Sequence, residues 1–350
     1  MRKLVTLRTI KEVKDIQGAD LIQEFVVDGW SVVSEKGAFK PNDTIIYFEC
    51  DSFLPETDLR FEKFMKFGQN TFEGQRGHRV KTKRIKGIFS QGIIMPVSAF
   101  PEIVNPEFDT DYSELLGIRK YEKQEMTGYQ GDTAGDFPYF LVKSDQPRIQ
   151  NELRLFHGDT EELFVGTLKM DGSSITVAYI DLNEHYRFET PEVICSRNKR
   201  LKYQPEVPFE EQGKFFQGAF NSGLFNKAKA LHDLYGDYFA IQGELVGAGI
   251  QGNFEKIEKY QVFAYNIFNI TKKQFVSYEL FEEMANAVQL QIVPVIYQKM
   301  PILKYSLQEI LKMADGKGLY APFREGLVWK SLKGNTQFKA ISNKYLEKED

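Results

Sequence analysis

Lys169 and Asp171 stand at the bend of Phe164-Val-Gly-Thr-Leu-Lys-Met-Asp-Gly-Ser-Ser-Ile-Thr-Val-Ala-Tyr-Ile180. The stretch reads as strand, tight Gly/Ser turn and strand. A lysine at a rigid strand end beside a glycine turn is a candidate covalent nucleophile. Three further features follow it, each at a strand or strand end. Gln242-Gly-Glu-Leu245 sets the carboxylate of Glu244 in an apolar strand. Phe263-Ala-Tyr-Asn-Ile267 is an alternating aromatic strand. Arg324-Glu-Gly-Leu-Val-Trp-Lys330 precedes Gln337-Phe-Lys339.

A lysine that attacks phosphorus must be neutral, and its reference pKa is about 10.4. Asp171, Glu244 and Glu325 alone would raise that value and protect the ammonium. A divalent cation among the three carboxylates reverses the sign and neutralises the phosphate under attack. Magnesium (or manganese) suits such a site, because magnesium keeps its waters and binds through few carboxylates. Lys339 and Arg197 would then stabilise phosphate charge. Phe263 and Tyr265, two apart on one strand face, offer a ring to a purine base. Each feature has a plainer reading when taken singly. Glu244 reads as a paired structural carboxylate, Phe263 and Tyr265 as core, and Arg324-Glu325 as a solvated pair. It is their joint occurrence, in this order, that favours the site.

These residues need two scaffolds. The chain has 350 residues, 42% of them hydrophobic and 27% charged, which suits two soluble domains. Residues 1 to about 100 read as short strands with Gly turns. They include Leu4–Ile10, a hairpin over Glu24–Val33 turning at Asp28-Gly29, Thr44–Glu49 and Gly92–Pro96. This pattern predicts a small OB-type barrel. Ala99 to Pro138, with its acidic cluster and the Gly128–Gly135 segment, reads as the boundary region. Beyond it strands alternate with helices at Asn221–Tyr235, Leu280–Val288 and Ser306–Met313. The expected fold is α+β: an OB-type β-barrel over 1–122, then a domain with antiparallel sheets and flanking helices over 123–350.

Composition narrows the function classes. Net charge is −4, so any nucleic-acid contact must come from a local basic patch. Arg76-Gly-His-Arg-Val-Lys-Thr-Lys-Arg-Ile-Lys86 is the densest cationic stretch. Cys50 and Cys195 are the only cysteines, which fits a reducing cytoplasm. No apolar leader or membrane-length run is present. The four histidines, His78, His157, His185 and His232, have no ligand spacing. Gly247-Ala-Gly-Ile-Gln-Gly252 matches a dinucleotide fingerprint but leaves no room for the helix that motif requires.

Lys169-x-Asp-Gly, Ser196-Arg197-Asn198, Glu244, the Phe263–Ile267 strand, Glu325-Gly326 and Phe338-Lys339 resemble the ordered motifs of covalent nucleotidyltransferases. Within that superfamily the chain is most similar to ATP-dependent RNA ligases of the family-5, nick-sealing type with an N-terminal OB domain. Lys143-Ser-Asp-Gln-Pro-Arg-Ile-Gln-Asn151 resembles that group's segment upstream of the nucleophile. Val27-Asp-Gly-Trp30, Tyr47–Pro55 and Arg84–Gly92 resemble its N-terminal module.

The resemblance implies a nucleotidyltransferase (adenylyltransferase) domain in which Lys169 takes AMP from ATP. The AMP then passes to an RNA 5′-phosphate, and a 3′-hydroxyl displaces it. It implies that Asp171, Glu244 and Glu325 hold magnesium, that Phe263 or Tyr265 stacks on adenine, and that Arg148, Arg197 and Lys339 contact phosphates. Two departures stand out. Leu168 replaces an often acidic residue, which leaves base recognition to Thr167 or backbone groups. The second lysine of the last motif is absent, or replaced by Lys330 or Lys344. With Asp350 11 residues after Lys339, the C-terminal OB domain of DNA ligases and capping enzymes is not expected. In the basic stretch Arg79, Lys81, Lys83, Arg84 and Lys86 are the expected RNA contacts; a solvated edge strand is the plainer reading. RNA is the expected partner, and the protein is expected to act as a monomer.

Overall fold

The computed structural model describes residues 2–122, 133–180, 191–204 and 206–348. Most of the Gly128–Gly135 segment, and His185, lie outside these residues. The chain forms two compact units. The first holds Met1–Glu125 with Ile149–Leu153 and Leu346–Asp350; the second holds Met126–Arg148 and Arg154–Tyr345.

The first unit is built around one long strand, Val5–Asp15. Its first half pairs antiparallel with Thr44–Phe48 and its second half with Ile22–Val27. The register shifts between Ile10 and Glu12, and such a bulge bends a strand and increases its twist. Ile93–Pro96 and Trp30–Glu35 complete the curled five-stranded sheet, the OB-type architecture. The hairpin turns at Asp28-Gly29 as expected, with Asp28 at φ 52° and Val27 opposite Trp30. Thr44–Phe48 is buried on both faces. Ile45 and Tyr47 pack with Phe25, Trp30 and Val32, while Ile46 and Phe48 pack with Leu54, Phe61 and Phe100. Ile149–Leu153 joins this unit through polar bonds: the Trp30 indole donates to Asn151 Oδ1 at 2.8 Å, and Asn151 Nδ2 donates to Glu49 at 3.1 Å.

The second unit contains a seven-stranded and a four-stranded sheet, both antiparallel. Phe239–Val246 and Gln261–Asn269 form the centre of the larger sheet with Ser173–Tyr179. Helices Lys214–Asn221, Leu224–Tyr235 and Tyr278–Ala287 bury Phe216, Leu224, Leu231 and Phe281 in its core. The helix expected over Asn221–Tyr235 is present as Leu224–Tyr235, and Lys214–Asn221 is a further helix before it that periodicity did not indicate. Gly223 adopts φ 64°, a left-handed conformation that ends one helix and starts the next. Leu307–Met313 carries the capping box of Ser306 and Glu309. Sequence periodicity missed Gln337–Ile341 and Val295–Met300, which flank the smaller sheet.

Candidate active site

Lys169 ends the strand Phe164–Lys169 of the smaller sheet, and the Met170–Gly172 turn carries the chain into Ser173–Tyr179 of the larger one. Gly172 makes this crossing tight. A Cβ there would lie 2.3 Å from the Leu245 carbonyl oxygen and 2.9 Å from Glu244 Cγ. The glycine thus lets the Lys169 turn lie against the strand that carries Glu244. Gly326 does the same on the other side, where a Cβ would lie 2.3 Å from the Ala340 carbonyl oxygen. Its strand, Gly326–Ser331, pairs Gly326 with Lys169 and Val328 with both Thr167 and Lys339. Alternation then puts Thr167, Lys169, Val328 and Lys339 on one face.

The Lys169 ammonium sits 2.5 Å from Glu325 Oε1. Burial alone would favour the neutral amine, but Glu325, Glu244 and Asp171 outweigh it and hold the ammonium above its ordinary range. Burial pushes the Glu244 carboxyl up to about 8; Lys169 opposes the rise, and Glu325 and Asp171 add to it. These four groups therefore feel one another's charge. Carboxylate exceeds ammonium in this set, and such a donor set fits a divalent cation. Among the described residues no three acidic, histidine or cysteine side chains close to direct metal-ligand geometry. The arrangement suits an ion held through its own waters.

Two cations flank the carboxylates. Arg197 occupies the turn between Glu192–Cys195 and Lys199–Leu201. Its Nη2 lies 3.4 Å from Asp145 Oδ2, and Lys339 Nζ lies 3.3 Å from Asp145 Oδ1. Asp145 thus gathers one cation from each sheet. Its segment runs along the edge of Gln337–Ile341: Lys339 N donates to the Pro147 carbonyl at 2.8 Å, and Arg148 bridges Lys339 in parallel. Arg148 is buried beside that strand. Sequence reasoning did not single out Asp145, although it lies inside the upstream segment that carried the resemblance.

The aromatic pair divides. Phe263 is buried with Leu168, Met170, Val246, Ile257 and Val293, while Tyr265 is only partly buried at the margin of that cluster. The Tyr265 hydroxyl meets Ser174 Oγ at 3.1 Å. Thr167 donates its hydroxyl to the Val328 carbonyl at 3.2 Å. Leu168 contributes an apolar side chain, and its backbone N–H goes to the Pro294 carbonyl.

Lys330 is not brought to the carboxylates. It is 3% exposed and donates to the Tyr265 carbonyl and to Asn266 Oδ1, between the rings of Tyr265 and Phe281. Burial pulls its ammonium down to about 7. Lys330 therefore supports the aromatic strand from behind. Arg324, which read as half of a solvated pair, is also buried. It donates to the carbonyls of Met313, Ala314 and Asp315 and so fixes the approach to Glu325.

Residues 162–346, more than half of the chain, match the RNA ligase family, and residues 4–97 match an OB-fold domain. The chain belongs to the RNA ligase family. Solved structures agree with this ligase over its whole length. A glutamate-to-alanine mutant of Naegleria gruberi RNA ligase with ATP and Mn is 34% identical, with TM-score 0.87, and both chains are covered at 100%. A second such mutant with AMP and Mn is 34% identical at TM-score 0.87, and the same enzyme with PPi is 35% identical at TM-score 0.87; each pair is covered at 99% of both chains. No curated protein sequence matches the chain.

The basic stretch of this ligase lies in the first unit, and its cations are not equivalent. Arg79 is held by Asp51 at 2.7 Å and packs over Tyr121; Arg84 meets Glu347 at 2.8 Å. Lys83 donates to the Phe67 carbonyl at 2.9 Å. Lys81 is partly buried, and Lys86 is exposed at a turn with φ 49°.

Proposed function

We propose that this protein is an ATP-dependent RNA ligase that joins 3′-hydroxyl and 5′-phosphate ends through a lysyl-AMP on Lys169. The observation that carries the reading is the convergence of Lys169, Asp171, Glu244 and Glu325 beside Arg197 and Lys339 in a chain of the RNA ligase family.

Lys169 Nζ releases its proton to solvent and attacks the α-phosphorus of ATP. An N–P bond forms, the P–O bond to pyrophosphate breaks, and pyrophosphate leaves. Asp171, Glu244 and Glu325 would hold magnesium or manganese, which would supply positive charge that favours the free amine and neutralises the phosphate. Arg148, Arg197 and Lys339 bind phosphate oxygens, with Asp145 giving way to them. Tyr265, the partly exposed ring of the pair, stacks on adenine, with Phe263 beneath it in the apolar cluster. Thr167 and nearby backbone groups read the base edge; Leu168 closes the floor. Lys330 takes the place of the missing second lysine only as a support of the Tyr265 strand.

The AMP then passes to an RNA 5′-phosphate, and the 3′-hydroxyl closes the phosphodiester as AMP leaves. RNA repair is the biological setting that fits such a reaction. Residues 1–122 serve as the OB module that engages RNA, and residues 123–350 as the adenylyltransferase. Two free, buried cysteines, Cys50 and Cys195, suit a reducing cytoplasm. All of these residues come from a single chain, which fits action as a monomer. Among the described residues no helix is long and apolar enough to cross a membrane.

The test is incubation with α-labelled ATP or GTP and magnesium, followed by sealing of nicked RNA and nicked DNA duplexes. Label from ATP and closure of the RNA nick support the proposal. Label from GTP alone, or closure of DNA nicks only, overturns it in favour of a capping-type guanylyltransferase or a DNA ligase.

A further inference from the structure

Phe67 is 53% exposed on the first unit, just beyond the short helix Glu62–Met65. The loop that presents it is held from several sides. Phe67 N donates to the Phe64 carbonyl at 3.0 Å, Lys83 Nζ donates to the Phe67 carbonyl at 2.9 Å, and the His78 ring meets the Gly68 carbonyl at 2.7 Å. Phe64, behind it, stacks on His78 and packs on the barrel core. The backbone that carries the ring is therefore anchored.

Two ammonium groups stand over that ring. Lys66 Nζ lies 5.1 Å and Lys83 Nζ 5.3 Å from its centroid. Among the described residues neither lysine has a carboxylate within ion-pairing distance, whereas Arg79, Arg84 and Lys63 each have one. In a chain of net charge −4 this is a local positive patch with an aromatic face at its centre. An exposed ring flanked by uncompensated cations is the arrangement that binds unpaired nucleotides: the base stacks, and the neighbouring phosphates meet the cations.

We propose that Phe67 is a base-stacking platform for RNA, with Lys66 and Lys83 on the flanking phosphates. The inference rests on the RNA ligase reading and adds a contact outside the basic stretch. It moves the centre of RNA binding away from Arg79 and Arg84, whose charges are already neutralised. The base it takes is one that is unstacked, at a strand end or in a single strand; a base inside a duplex has no free face.

The test uses the full chain with a fluorescently labelled RNA carrying a single-stranded end. Affinity is read for wild type, Phe67→Ala, Phe67→Trp and Lys66→Ala over a range of salt, with self-adenylylation measured in parallel. Phe67→Ala should weaken RNA binding about tenfold, within the range for removal of one stacking aromatic. Phe67→Trp should restore it, and self-adenylylation by Phe67→Ala should match wild type. Lys66→Ala should lower the salt slope by about 0.7. Wild-type affinity in Phe67→Ala overturns the proposal. So does a Phe67→Ala effect seen only in sedimentation, which would mark a protein contact. A wild-type protein that takes no AMP from ATP sinks the ligase reading instead, and the RNA titration reports on Phe67 independently of that result.

Discussion

Lys169 Nζ and Glu325 Oε1 lie 2.5 Å apart, joining the proposed nucleophile to a carboxylate 156 positions further along the chain. The pairing of Lys169 with Gly326 in adjacent strands sets this distance. Glu325 protects the ammonium and, in the proposed mechanism, would help to hold a divalent ion. Glu325→Ala should reduce self-adenylylation by at least about a hundredfold, the scale of several kcal/mol expected from loss of charge stabilisation at phosphorus. Quantified label transfer from ATP checks it. A loss of only a few-fold would mean that Glu325 is a structural partner of the lysine.

Gly172 offers a test of geometry that changes no charge. An alanine Cβ would press on the Leu245 carbonyl and on Glu244, so the turn must move away from the strand. Gly172→Ala should lower self-adenylylation about a hundredfold, because a displacement near 1 Å has that effect on a positioned nucleophile. The melting temperature should fall as well. Single-turnover kinetics and calorimetry together check this; wild-type kinetics would show that the turn tolerates the shift.

Asp145 pairs with Arg197 and Lys339, and in the proposed mechanism it competes with phosphate for them. Each of these pairs is partly exposed, so each contributes about 0.2–1 kcal/mol. Asp145→Asn should therefore lower the KM for ATP about two- to fivefold with little change in kcat. A raised KM would mean that Asp145 positions the two cations and does not compete for them.

Lys330 gives stability a distinctive pH dependence. Burial pulls its pKa down to about 7, against about 10.4 in an unfolded chain. Between these values the unfolded state holds a proton that the folded state has released, so folding stability rises with pH across that window. The stability of wild type relative to Lys330→Met should rise from pH 7 upward, at a limiting slope of about 1.4 kcal/mol per pH unit. Denaturant titrations at several pH values measure it. A flat difference would mean that the Tyr265 carbonyl, Asn266 and the two rings keep the ammonium charged.

Much of this site was legible because its parts are short and local. Lys169, Asp171 and Gly172 share one turn, and Gln242–Leu245 lies within the strand Phe239–Val246, as its apolar residues suggest. What stayed hidden is contact at long separation. Lys339 and Asp145 are 194 positions apart, and no periodicity within either segment records their meeting. The strand Gln337–Ile341 is too short to show alternation, so the face shared by Lys339 and Lys169 appears only through the pairing of Gly326–Ser331. Lys330 was misleading for a related reason. A lysine in an apolar strand looks available for phosphate until the surrounding core is seen, and here Tyr265, Asn266 and Phe281 enclose it. In the basic stretch Arg79 pairs with Asp51 and Arg84 with Glu347, partners that its own sequence does not contain.

The central claim is that the Lys169 amine becomes covalently bonded to AMP. The direct measurement is intact mass spectrometry after exposure to ATP and magnesium, with peptide mapping of the modified side chain, in wild type and Lys169→Ala. The account predicts one AMP per chain, attached to Lys169 through an acid-labile N–P bond, and no adduct in the variant. An AMP adduct mapped to another residue, or one that persists in Lys169→Ala, would contradict it.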